Sequence, residues 1–229
     1  MPDPAYILEK PASLKQINFA LKPPLWKELV SYGIYFVTIL LLVSTFYIFI
    51  RFFAFDTIEV QGESMYPYHS TGDMIYIDLL TPRFSSYRRG EIVVLKSPKS
   101  CDAKDELFIK RIIGLPHEKV IFENGDVYIQ NSGLNSLPIR LDESAYLDKN
   151  VKTYKNVTPS SVDTGKAYEE KLLGDNEYYF MGDNRPGSMD GRRCGPIPKG
   201  QILGKEFYRF QPADRRGIYK LPKYNIPNL

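Results

Sequence analysis

The sequence predicts a mostly β protein with one N-terminal transmembrane helix. Residues 30–50 form a run of 21 residues without a charged side chain. The chain after this run alternates short β-rich segments, such as GDMIYID, GEIVVLKS and KVIFENGDVYIQ, with Gly, Pro, Asn and Asp. Alternating apolar residues between turn residues are typical of antiparallel strands. The 229 residues suffice for one globular domain with a sizeable core.

The apolar run VSYGIYFVTILLLVSTFYIFI has the length of a membrane span. About 20 helical residues, at roughly 1.5 Å each, cross a hydrocarbon core about 30 Å thick. A buried core helix would have to be apolar on every face, and a cleavable signal peptide usually has an apolar core of only about 7–15 residues. We therefore predict a cytoplasmic segment at residues 1–29, a transmembrane helix at 30–53 and an extracytoplasmic domain at 54–229.

Charges around the span predict its orientation. Lys10, Lys15, Lys22 and Lys27 precede it, whereas only Arg51 follows before the first acidic residue. Basic residues are enriched on the cytoplasmic side of membrane proteins. We expect a single-pass protein of the cytoplasmic (inner) membrane, in contact with the lipid bilayer, with its N-terminus in the cytoplasm.

Composition argues against several classes of function. The net charge of +3 arises from 30 basic and 27 acidic residues spread along the chain, so nucleic-acid binding is not expected. Two histidines, His69 and His117, without Cys-x-x-Cys or His-Glu-x-x-His spacing, predict no metal and no cofactor. Cys101 and Cys194 permit one disulfide, although their number does not show whether they meet.

Three further segments of the extracytoplasmic part carry local predictions. Asn124-Gly125, between two alternating runs, is typical of a two-residue type I′ hairpin turn. Residues from about 121 to 175, polar from about 131 onward, are expected to form a cap inserted into the main sheet system. The tail RRGIYKLPKYNIPNL, with two prolines, is expected to be loosely docked.

Ser64 stands in GESMYP, where glycine and proline make regular structure difficult to continue. A serine hydroxyl needs a base to become a nucleophile. Neither His69 nor His117 has an orienting carboxylate at a recognisable spacing, which disfavours a Ser-His-Asp triad. A lysine made neutral by burial is the other base, and Lys110 lies in the apolar segment LFIKRIIGLP. Alternation places Lys110 and Arg111 on opposite faces; an edge strand with protective charges is the alternative.

The segments GESMYP, TGD with Asp73, RGEIVVL, KRIIGLP and MGDNRPGSMDGRRCGPIP resemble, in this order, the conserved boxes of the type I signal peptidases (leader peptidases, Ser/Lys dyad). The resemblance covers roughly residues 56–120 and 176–210, after a membrane span in the expected place. It implies that the extracytoplasmic part is a catalytic domain, built as a signal-peptidase-like complex of bent antiparallel sheets.

The resemblance also implies roles for individual residues. Ser64 takes the place of the nucleophile and Lys110 that of the general base. Ser188 takes the place of the serine that orients the lysine. The backbone N–H of Ser64 is the main oxyanion donor, because Gly62 replaces a serine that supplies a hydroxyl in some members. The residues expected to shape the site are Gly62, Met65, Pro67, Arg111, Gly182, Asp183, Asn184, Arg185, Asp190 and Arg192.

The chain also departs from the family pattern. Tyr68 and His69 stand where threonine and leucine are usual, His117 and Glu118 where Gly-Asp is common, and Gly191 where serine is common. No departure removes a catalytic atom. They concern the wall of the cleft and the substrate preference.

The family's substrates are secreted preproteins with small residues at the first and third positions before the scissile bond. We therefore expect a membrane-bound serine endopeptidase that removes signal peptides. Two alternatives remain: a peptidase of the same dyad type dedicated to a pilin or conjugation precursor, and a catalytically silent, membrane-tethered β binding module. Five apolar residues are candidates either for the substrate pockets or for the core: Ile58, Val60, Met65, Ile75 and Ile77.

Overall fold

A computed structural model of the protein describes the following residues: 24–101, 106–133, 136–155, 168–169 and 172–226. Lys10, Lys15 and Lys22, on which the predicted orientation depends, lie outside these residues. So do residues 134–135, 156–167 and 170–171 of the predicted cap.

The N-terminal helix α1 (Leu25–Phe53) contains the charge-free run. It begins directly after Pro24, whose carbonyl accepts the Lys27 N–H at 2.8 Å, and proline is well tolerated at a helix start. Residues Leu25–Arg51 are long and apolar enough to cross a membrane, and none of their most apolar stretch is buried. The predicted N-terminal candidate transmembrane helix is therefore present.

Residues Tyr47–Leu229 form a compact unit of their own, which is mostly β, as predicted. Two short helices accompany its strands, α2 (Thr81–Phe84) and α3 (Gly191–Cys194). Its described strands are β1 (Phe55–Glu59), β2 (Met74–Asp78), β3 (Ile92–Lys96), β4 (Leu107–Gly114), β5 (Glu118–Glu123), β6 (Asp126–Asn131), β7 (Ile139–Arg140), β8 (Tyr168–Glu169), β9 (Glu177–Met181), β10 (Ile197–Pro198), β11 (Ile202–Gln211) and β12 (Gly217–Ile218).

The larger sheet has the strand order β1-β2-β11-β3-β4-β9-β10, and β12 pairs with β11. Every pairing in it is antiparallel. Register shifts interrupt the pairing of β11 with both β2 and β3, and that of β4 with β9. Such irregularities bend strands, which confirms the prediction of bent antiparallel sheets.

The smaller sheet has the order β7-β6-β5-β8 and lies in the region predicted as a cap. Its hairpin between β5 and β6 pairs Glu123 with Asp126. Asn124 and Gly125 have φ angles of 52° and 77°, and two positive φ angles are what a type I′ turn requires. The predicted turn is therefore confirmed.

Strand β4 lies inside the larger sheet, between β3 and β9. Residues 109–114 are all buried. The edge-strand alternative for Lys110 and Arg111 is therefore wrong, because β4 has a paired strand on each side and both side chains are buried. This position withdraws both basic side chains from water.

Cys101 and Cys194 form a disulfide. The number of cysteines in the sequence did not show whether the two would meet. The disulfide joins the turn after β3 to α3, across 93 residues of sequence. Both cysteines lie in a buried cluster with Ile112, Tyr178 and Phe180. The cross-link therefore anchors α3 to the core.

The prediction of a loosely docked tail is wrong. The tail contains β12, which pairs with β11, and Tyr219 N–H donates to Phe207 O at 2.9 Å. Ile226 is buried, and Tyr224 packs so closely over Gly90 that a Cβ there would lie 2.8 Å from its ring. Aromatic residues at wide spacing dock this segment, although its prolines exclude a long strand.

Candidate active site

Ser64 lies in the connection between β1 and β2, which we call the Ser64 loop (residues 60–73). Val60 N–H donates to Asp73 O at 2.8 Å and Gly72 N–H to Val60 O at 2.9 Å, closing the base of the loop. Gly62 has a φ of 81°, a conformation that favours glycine. The chain leaves the strand after Glu59 and turns at Gly62, two residues before Ser64.

Asn184, after β9, holds the part of the loop that carries Ser64. Its backbone N–H donates to Ser64 O at 3.1 Å, and its side-chain amide donates to Glu63 O at 3.0 Å. Among the described residues, no acceptor takes the Ser64 N–H. This donor is therefore available to a bound group next to the Ser64 hydroxyl.

Lys110 on β4 meets Ser64 directly. Its Nζ lies 2.6 Å from Ser64 Oγ, and it also donates to Ile109 O at 3.0 Å. The amine lies over the Phe108 ring, 4.9 Å from the ring centre. Lys110 is 3% exposed, and burial lowers the pKa of its amine from 10.5 to about 8, although nearby Asp190 and Asp183 act in the opposite direction. A neutral Lys110 is therefore accessible in mildly alkaline water.

Ser188 is buried beside this pair. A Cβ built on Gly182 would lie 2.2 Å from Ser188 Oγ and 2.3 Å from Ser64 O, so these three residues meet closely. Ser188 Oγ makes no hydrogen bond to Lys110 among the described residues, and its hydroxyl instead lies close enough to Asp190 to help lower the pKa of that carboxyl. The lysine-orienting role of Ser188 thus stays a prediction, and Ile109 O is the carbonyl that holds the amine here.

Arg111 anchors β4 to the loop after β9. Its Nε and Nη2 contact the two carboxylate oxygens of Asp183 at 2.8 and 2.6 Å. Its Nη1 donates to Gly90 O at 2.9 Å and to the Tyr219 hydroxyl at 2.5 Å. The guanidinium also lies 4.0 Å from the centre of the Tyr146 ring. A bidentate pair fixes the relative direction of the two side chains as well as their distance. Because Arg111 is adjacent to Lys110 and Asp183 is adjacent to Asn184, the pair also holds Lys110 and Asn184 in place.

A second buried pair supports Gly182. Asp190 accepts two hydrogen bonds of 2.9 Å from the Arg192 guanidinium and one of 2.9 Å from Gly182 N–H. Burial alone would raise the pKa of the Asp190 carboxyl, but the hydrogen bond and charge of Arg192 lower it below its usual value. Arg192 also donates to Arg185 O at 2.6 Å.

Arg185, Met65 and Pro67 take places around this centre. Arg185 donates to Gly182 O at 3.1 Å and forms a buried ion pair with Glu143. Met65 is buried in the core beneath the Ser64 loop. Pro67 follows Tyr66 through a cis peptide bond. Every predicted site residue therefore lies in or next to one region, where Ser64 and Lys110 are in contact.

A cleft of about 710 Å³ opens over the Ser64–Lys110 pair. The Ser64 loop and the end of β1 form one side, and the start of β4 with Phe108 forms another. Of the five apolar pocket candidates, only Ile58 lines this cleft. The others, Val60, Met65, Ile75 and Ile77, are core residues.

Sequence reasoning missed the environment of His69. The expectation that it lacks an orienting carboxylate is wrong, because Nδ1 lies 3.2 Å from Asp73 and Nε2 lies 2.8 Å from Glu206. The spacing of Asp73, four residues on, was a detectable signal. Glu206 is 137 residues away, and only the pairing of β11 with β2 brings it here. His117 is exposed and lies 3.8 Å from Asp175.

Known proteins are similar to this chain over most of its length. The family model for signal peptidase, peptidase S26, matches residues 29–211. A probable signal peptidase I-2 of Synechocystis sp. is 32% identical over 171 residues, 74% of this chain and 69% of the relative. Signal peptidase I S of Bacillus subtilis is 34% identical over 166 residues, 71% of this chain and 80% of the relative.

A crystal structure of a signal peptidase I from Enterococcus faecalis is 25% identical, covering 53% of this chain and 97% of that chain at a TM-score of 0.35. The family match itself spans the candidate helix, the Ser64 loop, β4 and the segment after β9. The chain therefore belongs to the signal peptidase family of peptidases, peptidase S26.

Proposed function

We propose that this protein is a membrane-bound serine endopeptidase that removes N-terminal signal peptides from secreted preproteins, with Ser64 as nucleophile and Lys110 as general base. The observation that carries the proposal is the 2.6 Å contact between Ser64 Oγ and a buried lysine amine. Burial favours the neutral amine, which can accept a proton. The contact places this amine within hydrogen-bond distance of the Ser64 hydroxyl, whose proton it can therefore take.

The reaction follows from these positions. Neutral Lys110 Nζ takes the proton of Ser64 as Oγ attacks the carbonyl carbon before the scissile bond. The carbonyl oxygen becomes an oxyanion, which the Ser64 N–H stabilises. The protonated amine then gives its proton to the leaving nitrogen, the C–N bond breaks and an ester to Ser64 remains. Lys110 next deprotonates a water, whose oxygen attacks the ester carbon. The C–O bond to Ser64 then breaks, the ammonium returns its proton to Ser64 Oγ, and the new carboxyl group is released.

The cleft suits an extended substrate. Residues 58–59 and 61–63 line one side of the cleft and residues 106–110 another, so a peptide can lie between them as an added strand. Ile58 and Phe108 offer apolar walls near Ser64. The family's expected preference is for small residues at the first and third positions before the scissile bond. Such residues can pack against these apolar walls.

Two observations support an extracytoplasmic location. Helix α1 contains a candidate span, so it can hold the protein at a membrane. The Cys101–Cys194 disulfide is characteristic of oxidising compartments outside the bacterial cytoplasm. Together with the lysines before the span, they favour a cytoplasmic N-terminus and an outer catalytic domain.

The test is cleavage of a purified preprotein by the detergent-solubilised full chain, with mass spectrometry of the new N-terminus. Wild type should cut after a small-x-small site, whereas Ser64→Ala and Lys110→Met should be inactive although folded. Cutting by Lys110→Met would remove Lys110 as the base. Inactivity toward ordinary preproteins, with cleavage of a pilin-type precursor, would identify a dedicated peptidase; no Ser64-dependent cleavage of either would favour the binding module.

A further inference from the structure

His69 is a buried titratable residue that the proposed reaction does not use. It lies five residues after Ser64, and its backbone N–H donates at 2.9 Å to the carbonyl of Met65. Its side chain connects the Ser64 loop to the main sheet, because Asp73 ends the loop and Glu206 lies on β11. The exposures of His69, Asp73 and Glu206 are 0%, 2% and 4%.

Both ring nitrogens of His69 face carboxylate oxygens, at 3.2 Å for Asp73 and 2.8 Å for Glu206. An ionised carboxylate only accepts hydrogen bonds, and a neutral imidazole has a single N–H. Two hydrogen bonds to ionised carboxylates therefore require the doubly protonated imidazolium. Without that proton, a nitrogen lone pair would face one of the two carboxylates.

The surrounding charges make Glu206 depend on this proton. Asp73 has two further cationic partners, Arg209 at 3.3 Å and Arg215 at 2.7 Å. Glu206 Oε2 meets His69, and Glu206 Oε1 has no hydrogen-bond partner among the described residues. A buried carboxylate without a cationic partner is costly. The His69 proton thus balances Glu206, whereas Asp73 is balanced by arginines.

The remaining groups near His69 do not replace this charge. The Tyr68 ring packs edge-on against the imidazole at 4.8 Å, and burial raises the pKa of its phenol, which stays neutral. Arg209 donates to Tyr68 O at 2.5 Å as well as to Asp73. Arg111, from β4, lies over the other side of the neighbouring Tyr68 ring at 5.6 Å.

We propose that His69 is a positioning residue for Ser64, which holds a proton between Asp73 and Glu206 and so ties the Ser64 loop to β11. A neutral imidazole could donate to only one of the two ionised carboxylates, so it would hold the loop less firmly. The Ser64 hydroxyl then spends less time in contact with Lys110. This inference rests on the proposed function, because its kinetic consequence is a change of kcat.

The decisive variant is Glu206→Gln. The amide nitrogen of glutamine can donate to His69 Nε2, so a neutral imidazole with its proton on Nδ1 satisfies both partners. The variant therefore removes the need for the proton while keeping both hydrogen bonds. His117→Gln is the matched control, because it removes the other histidine of the chain, whose side chain is 59% exposed.

The first measurement is ¹⁵N NMR of histidine-labelled full chain in detergent, in which His117→Gln identifies the His69 signals. We expect His69 of the wild type to be imidazolium at pH 7–8 and His69 of Glu206→Gln to be a neutral Nδ1–H tautomer. A neutral His69 in the wild type at pH 7 would overturn the proposal. This readout does not depend on activity.

The second measurement is kcat and KM of wild type, His69→Leu, Glu206→Gln and His117→Gln at one pH. His69→Leu removes both hydrogen bonds, so its kcat should fall by about tenfold or more with KM little changed, whereas Glu206→Gln should lose less and His117→Gln should match the wild type. An unchanged kcat in folded His69→Leu, or an equal loss in Glu206→Gln, would overturn the positioning role alone. If wild type is as inactive as Ser64→Ala, the proposed function fails.

Discussion

At the scale of single residues, Lys110 determines when the proposed chemistry can start. Burial holds the pKa of its amine at about 8, far below the usual 10.5, and only the neutral amine accepts the Ser64 proton. Below pH 8 the protonated fraction dominates, so kcat/KM should fall by about tenfold per pH unit as pH decreases. Initial rates on a small-x-small peptide between pH 5 and 9 check this. A flat profile between pH 6 and 8 would contradict Lys110 as the base.

Gly182 is a second residue with a strict requirement. A Cβ there would lie 2.2 Å from Ser188 Oγ and 2.3 Å from Ser64 O. Gly182→Ala must therefore displace the backbone of Ser64 or the Ser188 side chain, and strain in a packed site typically costs about 1–3 kcal/mol. We expect activity to fall at least about 100-fold, since misplacement of roughly 1 Å has this effect.

Gly200→Ala is the matched control for Gly182→Ala. Nothing lies within 4 Å of a Cβ built on Gly200. Its melting temperature and kcat/KM should stay close to those of the wild type. Equal activity of Gly182→Ala and Gly200→Ala would mean that the contact around Ser64 is not required for cleavage.

At the scale of elements, the junction of β4 with the segment after β9 positions the two halves of the site. The buried Arg111–Asp183 pair spans this junction, and each side chain is 1% exposed. Asp183→Asn removes the charge that balances Arg111. Breaking a buried pair costs on the order of 3–5 kcal/mol. We expect a large decrease in the free energy of urea unfolding, together with lower kcat.

The control for Asp183→Asn is Asp126→Asn. Asp126 pairs with Arg140 at 3.2 Å, but these side chains are 27% and 64% exposed. Pairs in contact with water contribute only about 0–1 kcal/mol. A similar loss of stability in both variants would show that the junction is no more sensitive than the surface of the smaller sheet.

At the scale of the whole domain, the disulfide connects distant parts of the chain. It closes a loop of 93 residues and attaches α3, which follows Asp190, to the turn after β3. Loop closure of this length stabilises the folded state by roughly 4–5 kcal/mol in the chain-entropy account. We expect Cys101→Ser/Cys194→Ser to melt at a lower temperature than the oxidised wild type.

Reduction is the control for the double serine variant. A reductant should lower the melting temperature of the wild type toward that of the variant and leave the variant unchanged. If the oxidised and reduced wild type melt at the same temperature, the cross-link contributes nothing to stability.

Local signals in the sequence were sufficient for several features. The charge-free run predicted the candidate span, because the length of an apolar helix is set by residue count alone. Asn124-Gly125 predicted its turn, since positive φ is a property of those residues. The order of the family motifs predicted which serine and which lysine belong to the candidate site, namely Ser64 and Lys110. Their roles in catalysis stay predictions until activity is measured.

Other features depended on contacts between distant segments, which no local pattern encodes. Whether Cys101 meets Cys194 was decided by the packing of α3 on the core. The docking of the tail was decided by Tyr219, Tyr224 and Ile226, which fill gaps left by other elements.

The sequence by itself thus determined the mostly β architecture, the helix and the residue types of the site, because these depend on composition and spacing along the chain. Only the tertiary structure decided that Lys110 is buried against Ser64 and that His69 lies between Asp73 and Glu206. The physical reason is that burial, and with it the lowered pKa of the Lys110 amine and the contacts of His69, depends on which strands of the folded sheet become neighbours.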